Sequence, residues 1–386
     1  MITTREGSLM MRRWALVTSI AVLGLGLTSC GGGAADLGSA PGAGADASTS
    51  AAAKVYAGLN GKGSGARDAA VAAAKKEGQL SLYTSMTSDV ADPVAKAFTK
   101  EFGIKVSVFR GASETVLQRA LQEGKAGRPG ADAIETNFSE METLGVEHQF
   151  GQYKGPALAG VPEKQRFGTW TATRLNIFLP AWNTNLIKPG EEPKKWEDLA
   201  DPKYKGKFQV EISDSDWFEN VTKYWLDSGK SQAVVDDLWQ KIAANASSAK
   251  GHTTMMTLLG AGQTSMNAMN YSYITERAAQ EGAPVAYKGA DGTTSVPAFP
   301  RPNGVAVVAE AAHPNAAWLF NDWMLSDGQK VLVDLHLTPV VKVPGDTSLD
   351  GITLVDFDVK TLTTDGAKWG KKYDDLLRGV KKAPQK

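Results

Sequence analysis

GQLSLYTSMTSDVADPVAKAFTKEFGIKV, Gly78 to Val106, holds a strand, a helix and the start of a second strand. Leu80–Thr84 is short and rich in strand-forming side chains. Thr87 or Ser88 then supplies an N-cap, and Val90, Val94, Phe98 and Phe102 fall on one face of a helix. Gly103 stops that helix, and Ile104, Val106 and Val108 begin the next strand. Farther on, GASE turns into a helix carrying Leu117, Ala120 and Leu121, which ends at Gly124; after the Gly127–Gly130 turn, Ala131–Glu135 reads as a third strand. Strand, helix, strand, helix, strand predicts a parallel sheet covered on both faces, with right-handed crossovers.

Upstream, ARDAAVAAAKKEG predicts a helix from Ala66 that stops at Gly78. The Gly-, Ala- and Ser-rich stretch before it buries too little apolar area to offset ordering, so residues 30–65 are expected to be a flexible tether. Arg12 and Arg13 precede the apolar run Trp14–Leu27, which ends in LTSC, Leu27 to Cys30. That order is a secretory signal, residues 1–29. The run is shorter than the roughly 17 to 25 residues that span a bilayer. LTSC resembles a bacterial lipobox, which implies lipidation of Cys30 and a membrane-tethered, exported domain. Cys30 is the only cysteine, so an intrachain disulfide is excluded.

Downstream, TWTATRLNIFLPAWNT reads as one or two strands, and strand–helix alternation resumes through Phe208–Ile212, Asp216–Leu226, Val234–Ala244, Ser265–Met269 and Ile274–Gln280. Val305–Val308 is a buried strand, and His313–Pro314 opens a helix. Two α/β blocks predict two lobes with a cleft between them: 66–175 and, in the main, 299–386 in the first, 176–298 in the second, with the C-terminus returning to the second. A single large α/β enzyme shares this alternation. The chain has 42 basic and 42 acidic residues, a balance that argues against nucleic acid as a bulk electrostatic partner.

Ligands in parallel α/β proteins gather at the carboxyl ends of strands. Those ends are polar here: Tyr83, Thr84 and Ser85; Ser113; Glu135 and Asn137; Ser213 and Asp214; Asn270, Tyr271 and Tyr273. Tyr271 and Tyr273 could give phenolate oxygens to a ferric ion, assisted by Glu135, or could pack and hydrogen-bond an organic ligand. Trp217, near Ser213 and Asp214, is a candidate for stacking on a ligand. Arg301 is placed to pair with a carboxylate or to sit in a hinge. His148, His252, His313 and His336 are dispersed without a zinc spacing, and a nucleophile elbow, a P-loop and a dinucleotide fingerprint are all missing from the sequence. No catalytic residue and no cofactor is assigned.

The opening stretch, the ETVLQRALQEGKAGRPGADAI segment (114–134), PAWNTNLIKPGEEPKKWEDLADPKYKGKF (180–208), EGAPVAY (281–287) and AAHPNAAWLFNDWMLSDGQKVLV (311–333) together resemble bacterial extracellular solute-binding proteins of the ferric-iron type. The resemblance implies a two-lobed type II periplasmic-binding-protein fold with a central ligand cleft, lobe closure over a solute, and an ABC permease with its ATPase as partners. A sensor or adhesion module of the same fold is the alternative, and a secreted hydrolase or lyase a remote one. Iron-binding members present adjacent tyrosines, whereas Ser272 separates Tyr271 from Tyr273 here, and Met86 stands where some members carry histidine. The expected solute is therefore Fe3+ or a small oxygen-rich organic or phosphorylated anion.

Overall fold

The computed structural model describes residues 50–355 and 366–382. The predicted signal and Cys30 lie outside the described residues. Helices α1 (Ala51–Asn60) and α2 (Ala66–Glu77) lead into β1 (Gln79–Thr84), α3 (Ser88–Phe102), β2 (Lys105–Arg110), α4 (Ser113–Lys125), β3 (Ala133–Asn137) and α5 (Phe138–Val146). The long strand β4 (Thr171–Asn183) follows, then β5 (Phe208–Glu211), α6 (Ser215–Asp227), α7 (Gln232–Asn245), β6 (Ala246–Ala249), α8 (His252–Gly260), β7 (Met266–Tyr271), α9 (Ser272–Gln280) and β8 (Val285–Ala286). The chain closes with β9 (Phe299–Val307), α10 (Pro314–Met324), α11 (Gly328–Asp334), β10 (Thr338–Pro339), α12 (Gly366–Leu377) and β11 (Lys381–Lys382).

The described strands join in one sheet of order β11-β6-β5-β7-β4-β9-β3-β1-β2, with β8 and β10 also paired to β4. β1 is parallel to β2 and β3, as the opening stretch predicts. A second parallel set joins β5 to β6 and β7. Between the sets, β4 and β9 run antiparallel to each other; β4 pairs with β9 from Thr171 to Phe178 and with β7 from Phe178 to Trp182. The single strand β4 therefore passes from one set to the other. Its registers slip at Ala172/Arg174 and at Leu179/Ala181. The second slip brackets Pro180, which has no N–H for the ladder.

Each set has its own aromatic packing. Phe98 meets Phe320 and Trp323 edge-on at 5.2 and 5.4 Å, joining α3 to α10. On the other set, Trp217 meets Trp196 and Trp239 at 5.8 and 5.3 Å. α12 packs on α6 through Phe218 and Tyr373, whose rings stack at 5.4 Å, and the Tyr373 hydroxyl donates to the Glu211 carbonyl. No helix among the described residues is long and apolar enough to cross a membrane.

Within the stretch expected to be a flexible tether, the described residues are ordered instead. Ala51–Asn60 is a helix capped by Ser50. Tyr56 is buried and donates to the Val308 carbonyl, while Asn60 Oδ1 accepts from Lys154 N and Trp318 Nε1. Composition hides this because one tyrosine and one leucine in an Ala-rich run carry the docking, and their partners lie far along the chain.

Candidate functional site

A cleft of about 500 Å³ opens where the ends of β1, β2 and β3 face the ends of β5 and β7 and the start of α8. Its floor comes from β4. Arg174 and Asn176 are two residues apart in that strand and both line the cleft, as alternation requires. At the loop after β1, Ser85 N donates to the Glu135 carbonyl and Gly111 N to the Thr84 carbonyl, which ties the three strand ends together. Asn303 of β9 donates to Asn137 at 2.6 Å across their ladder.

Of the residues expected from the sequence, Ser85, Ser113, Asn137, Ser213, Asp214, Tyr271 and Tyr273 line this cleft. Four others stand behind its wall. Thr84 and Glu135 are fully buried, and Thr84 Oγ1 donates to Glu135 Oε2 at 2.6 Å. Asn270 donates to the His252 carbonyl, and Arg301 bonds Tyr271 and Asp214. Tyr83 and Trp217 are elsewhere. Tyr83 follows the opposite strand face from Thr84 and donates to the Glu123 carboxylate, with Arg119 over its ring. Trp217 is 1% exposed within its tryptophan cluster, so stacking on a cleft ligand is overturned. It occupies the face of α6 that meets Trp196 and Trp239, and helical periodicity alone does not say which partner that face meets.

The ferric set Glu135, Tyr271 and Tyr273 is not assembled as expected. The second Glu135 oxygen accepts from Arg174 at 2.9 Å, so both oxygens of this fully buried carboxylate are already taken by protein donors. Tyr271 and Tyr273 do share the wall, their rings 5.9 Å apart and 9° from parallel. Burial raises the pKa of Tyr273, and the Tyr271 hydroxyl accepts from the Arg301 guanidinium.

Sequence reasoning missed much of the charge. Arg110, Arg174, Asn176, Glu211, Lys250 and His252 all line the cleft. Arg110 ends β2, so the strand-end rule could have found it. Lys250 and His252 follow β6, whose ASSA sequence carries no apolar pattern. Arg174 Nη1 donates to Asn176 at 2.6 Å. Arg110 Nε donates to the Met86 carbonyl, yet neither Arg110 nor Lys250 has a carboxylate partner among the described residues. Opposite, Asp214 is gripped by His252 at 2.7 Å and Arg301 at 3.1 Å. Burial opposes the Asp214 charge, but the contacts with His252 and Arg301 outweigh it and hold its pKa below the ordinary value. Glu211 accepts from Ser213 N and Gly251 N without an ion pair among the described residues. Burial first, then the Asp214 charge, push it up to about 7.

Two parallel α/β sets, joined by crossover strands and facing each other across one polar cleft, define a solute receptor of the type II periplasmic-binding-protein class. Residues 83–331 match the model of the bacterial extracellular solute-binding protein family, and the chain belongs to that family. It is 26% identical over 272 residues to the Fe(3+)-binding periplasmic protein of Serratia marcescens, covering 67% of this chain and 78% of that one. Iron-bound HitA from Pseudomonas aeruginosa superposes with a TM-score of 0.64 at 22% identity, over 78% of this chain and 98% of that one. AfuA from Actinobacillus pleuropneumoniae, with fructose-6-phosphate bound, gives 0.65 at 21% identity, over 79% and 100%. These structural likenesses show the fold. The protein is a substrate-binding component of transport and not an enzyme, as the sequence reading expected.

Proposed function

We propose that this protein captures a small oxygen-rich anion, phosphorylated or carboxylated, and delivers it to the permease and ATPase of an ABC importer. The observation that carries the reading is two cations without carboxylate partners: Arg110 and Lys250 line the cleft unpaired among the described residues, whereas of the cleft carboxylates Asp214 is held by His252 and Arg301 and Asp89 by Arg277. The Arg110 and Lys250 side chains carry charged N–H donors only, and the oxygens of an anion supply the acceptors for charge-assisted hydrogen bonds with them. Ser85 Oγ and Arg174 Nε are also buried without a hydrogen-bond partner, which leaves two donors for ligand oxygens. AfuA, solved with a sugar phosphate, is a relative in fold whose ligand has this chemistry.

Closure brings the first lobe (66–175 and most of 299–386) against the second (176–298), with β4 and β9 bending at their junction, and ligand binding to both faces stabilises the closed population. Cys30 carries the lipid that keeps the receptor at the extracytoplasmic membrane face.

Ferric iron is the second reading, favoured by the shared placement of Tyr271 and Tyr273 and by the iron-binding relatives. Arg301 on the Tyr271 oxygen and the nearby cleft cations oppose a bare trivalent ion, so iron would need an accompanying anion.

Isothermal titration of the ligand-depleted protein with fructose 6-phosphate, an alkyl phosphonate and citrate tests the anion reading, with Fe3+–citrate in parallel. Binding of a phosphorylated or carboxylate probe that falls tenfold or more in Arg110→Gln supports it. Binding of Fe3+ alone, with tyrosinate-to-iron absorbance lost in Tyr271→Phe, overturns it in favour of iron.

A further inference from the structure

Beside the ligand cleft lies a second cavity of about 570 Å³, lined by Met256, Thr257, Gly260, Ala278, Glu281 and Ala283 among others. The two cavities share Thr87, Asp89, Thr253 and Ile274 as walls. Across that shared wall, Arg277 of α9 forms an ion pair with Asp89 in the first turn of α3. The pair joins different parts of the fold. α3 packs on β2 and α11, while α9 packs on α8, β8 and β4. Arg277 also donates to the Leu335 carbonyl at 3.2 Å, just past α11, and its guanidinium lies 5.8 Å from the Tyr273 ring centroid. One side chain thus touches the cleft wall, the N-terminus of α3 and the end of α11.

We propose that Asp89 and Arg277 are a gate between the ligand cleft and this outer vestibule, so that breaking their ion pair speeds passage into and out of the cleft. The physical case rests on position. The pair must part whenever the α3 and α9 blocks separate, and it forms again only when both return. With Asp89 about half exposed and Arg277 one-fifth exposed, the pair is a partly solvated one, whose coupling is modest. Its expected effect is therefore a few-fold change in rate rather than loss of function. Glu281, in the vestibule wall, adds negative potential near Arg277 without forming the pair. The vestibule itself is lined by threonines and small apolar side chains with few charges besides the gate and Glu281, which suits a passage more than a tight anion site.

The role in ligand release rests on the proposed function, whereas the opening of the gate can be read without any ligand. Cys30 is the only cysteine, and Ser85 Oγ is buried at the cleft, so the Cys30→Ser/Ser85→Cys protein reports access through one thiol. Its labelling rate with a small anionic thiol reagent is measured with the gate intact and altered. Asp89→Asn and Arg277→Gln are each expected to speed labelling about two- to fivefold. The double variant should match the singles, and the swapped pair Asp89→Arg/Arg277→Asp should return towards the starting rate. Unchanged labelling in the singles, or effects that add in the double variant, overturns the gate. Fructose 6-phosphate dissociation, followed by stopped-flow fluorescence in the protein with Ser85 intact, should speed by the same factor. If labelling responds while no anion binds, the gate stands and the anion reading falls; if an anion binds and leaves at the same rate in every variant, the gate's part in release falls instead.

Discussion

Glu135 and Arg174 meet across β9 with 0% and 3% of their side chains exposed and 2.9 Å between the charged atoms. At an effective dielectric constant of 20, two unit charges at that separation attract by about 6 kcal/mol. Desolvation of both groups consumes much of this, so the pair adds little net stability relative to a well-packed apolar replacement. Removing one partner is different, because the other charge stays buried. Glu135→Leu leaves the Arg174 guanidinium with only Asn176 as a side-chain partner among the described residues and is expected to cost about 3–5 kcal/mol. Urea denaturation followed by circular dichroism measures that loss. The double variant Glu135→Leu/Arg174→Met should recover most of it while losing the anion affinity that Arg174 supplies. A Glu135→Leu protein within about 1 kcal/mol of the parent in stability, yet unable to hold ferric iron that the parent binds, would refute the reasoning and return Glu135 to the metal.

Gly304→Ala should destabilise the fold by about 1–3 kcal/mol, since a Cβ there would lie 2.2 Å from Trp170 and 2.8 Å from the Thr171 carbonyl; a melting curve checks this, and an unshifted transition contradicts it. Trp217→Ala is expected to cost about 3–5 kcal/mol by leaving a hole among Trp196 and Trp239, with anion affinity unchanged at a temperature where the variant is folded. A large drop in affinity by calorimetry would put Trp217 back at the ligand. Glu211, raised to about 7 in the folded chain, ionises more easily when unfolded, so it costs folded-state stability as pH rises from the ordinary carboxylate range through about 7. Glu211→Gln should flatten that decline by at most about 1.4 kcal/mol per pH unit, measured as denaturation midpoints between pH 4.5 and 7.5; an unaltered slope assigns the titration elsewhere.

The strands and helices from Ala66 to Asn137 were legible because their signals are local. Hydrophobic spacing and glycine stops such as Gly78 and Gly103, both in the left-handed region, act within a few residues of where they are read, although the expected Thr87 cap makes no side-chain hydrogen bond. The same was true of most helices after Asp216 and of the strand-end residues Ser85, Ser113 and Asn137. Short elements without apolar pattern escaped: β6 in ASSA, and β8, β10 and β11, whose pairing is their only signature. α1 escaped because Tyr56 finds its partner Val308 only after 252 residues of chain.

The sequence alone determined the strand–helix order, the polar strand ends and, by resemblance, the family. Which of those polar groups meet was decided by the tertiary structure. Arg301 reaches Asp214 across 87 residues, and Arg174 takes the Glu135 carboxylate across 39, which removes from the cleft the acid that a ferric ion would have used. Alternation along a strand gives a side chain one of two faces but no partner. In this protein partner choice follows from β4 crossing between the parallel sets, with its register slips, and from burial that pairs charges such as Glu135 with Arg174 and Asp214 with Arg301 before any ligand arrives.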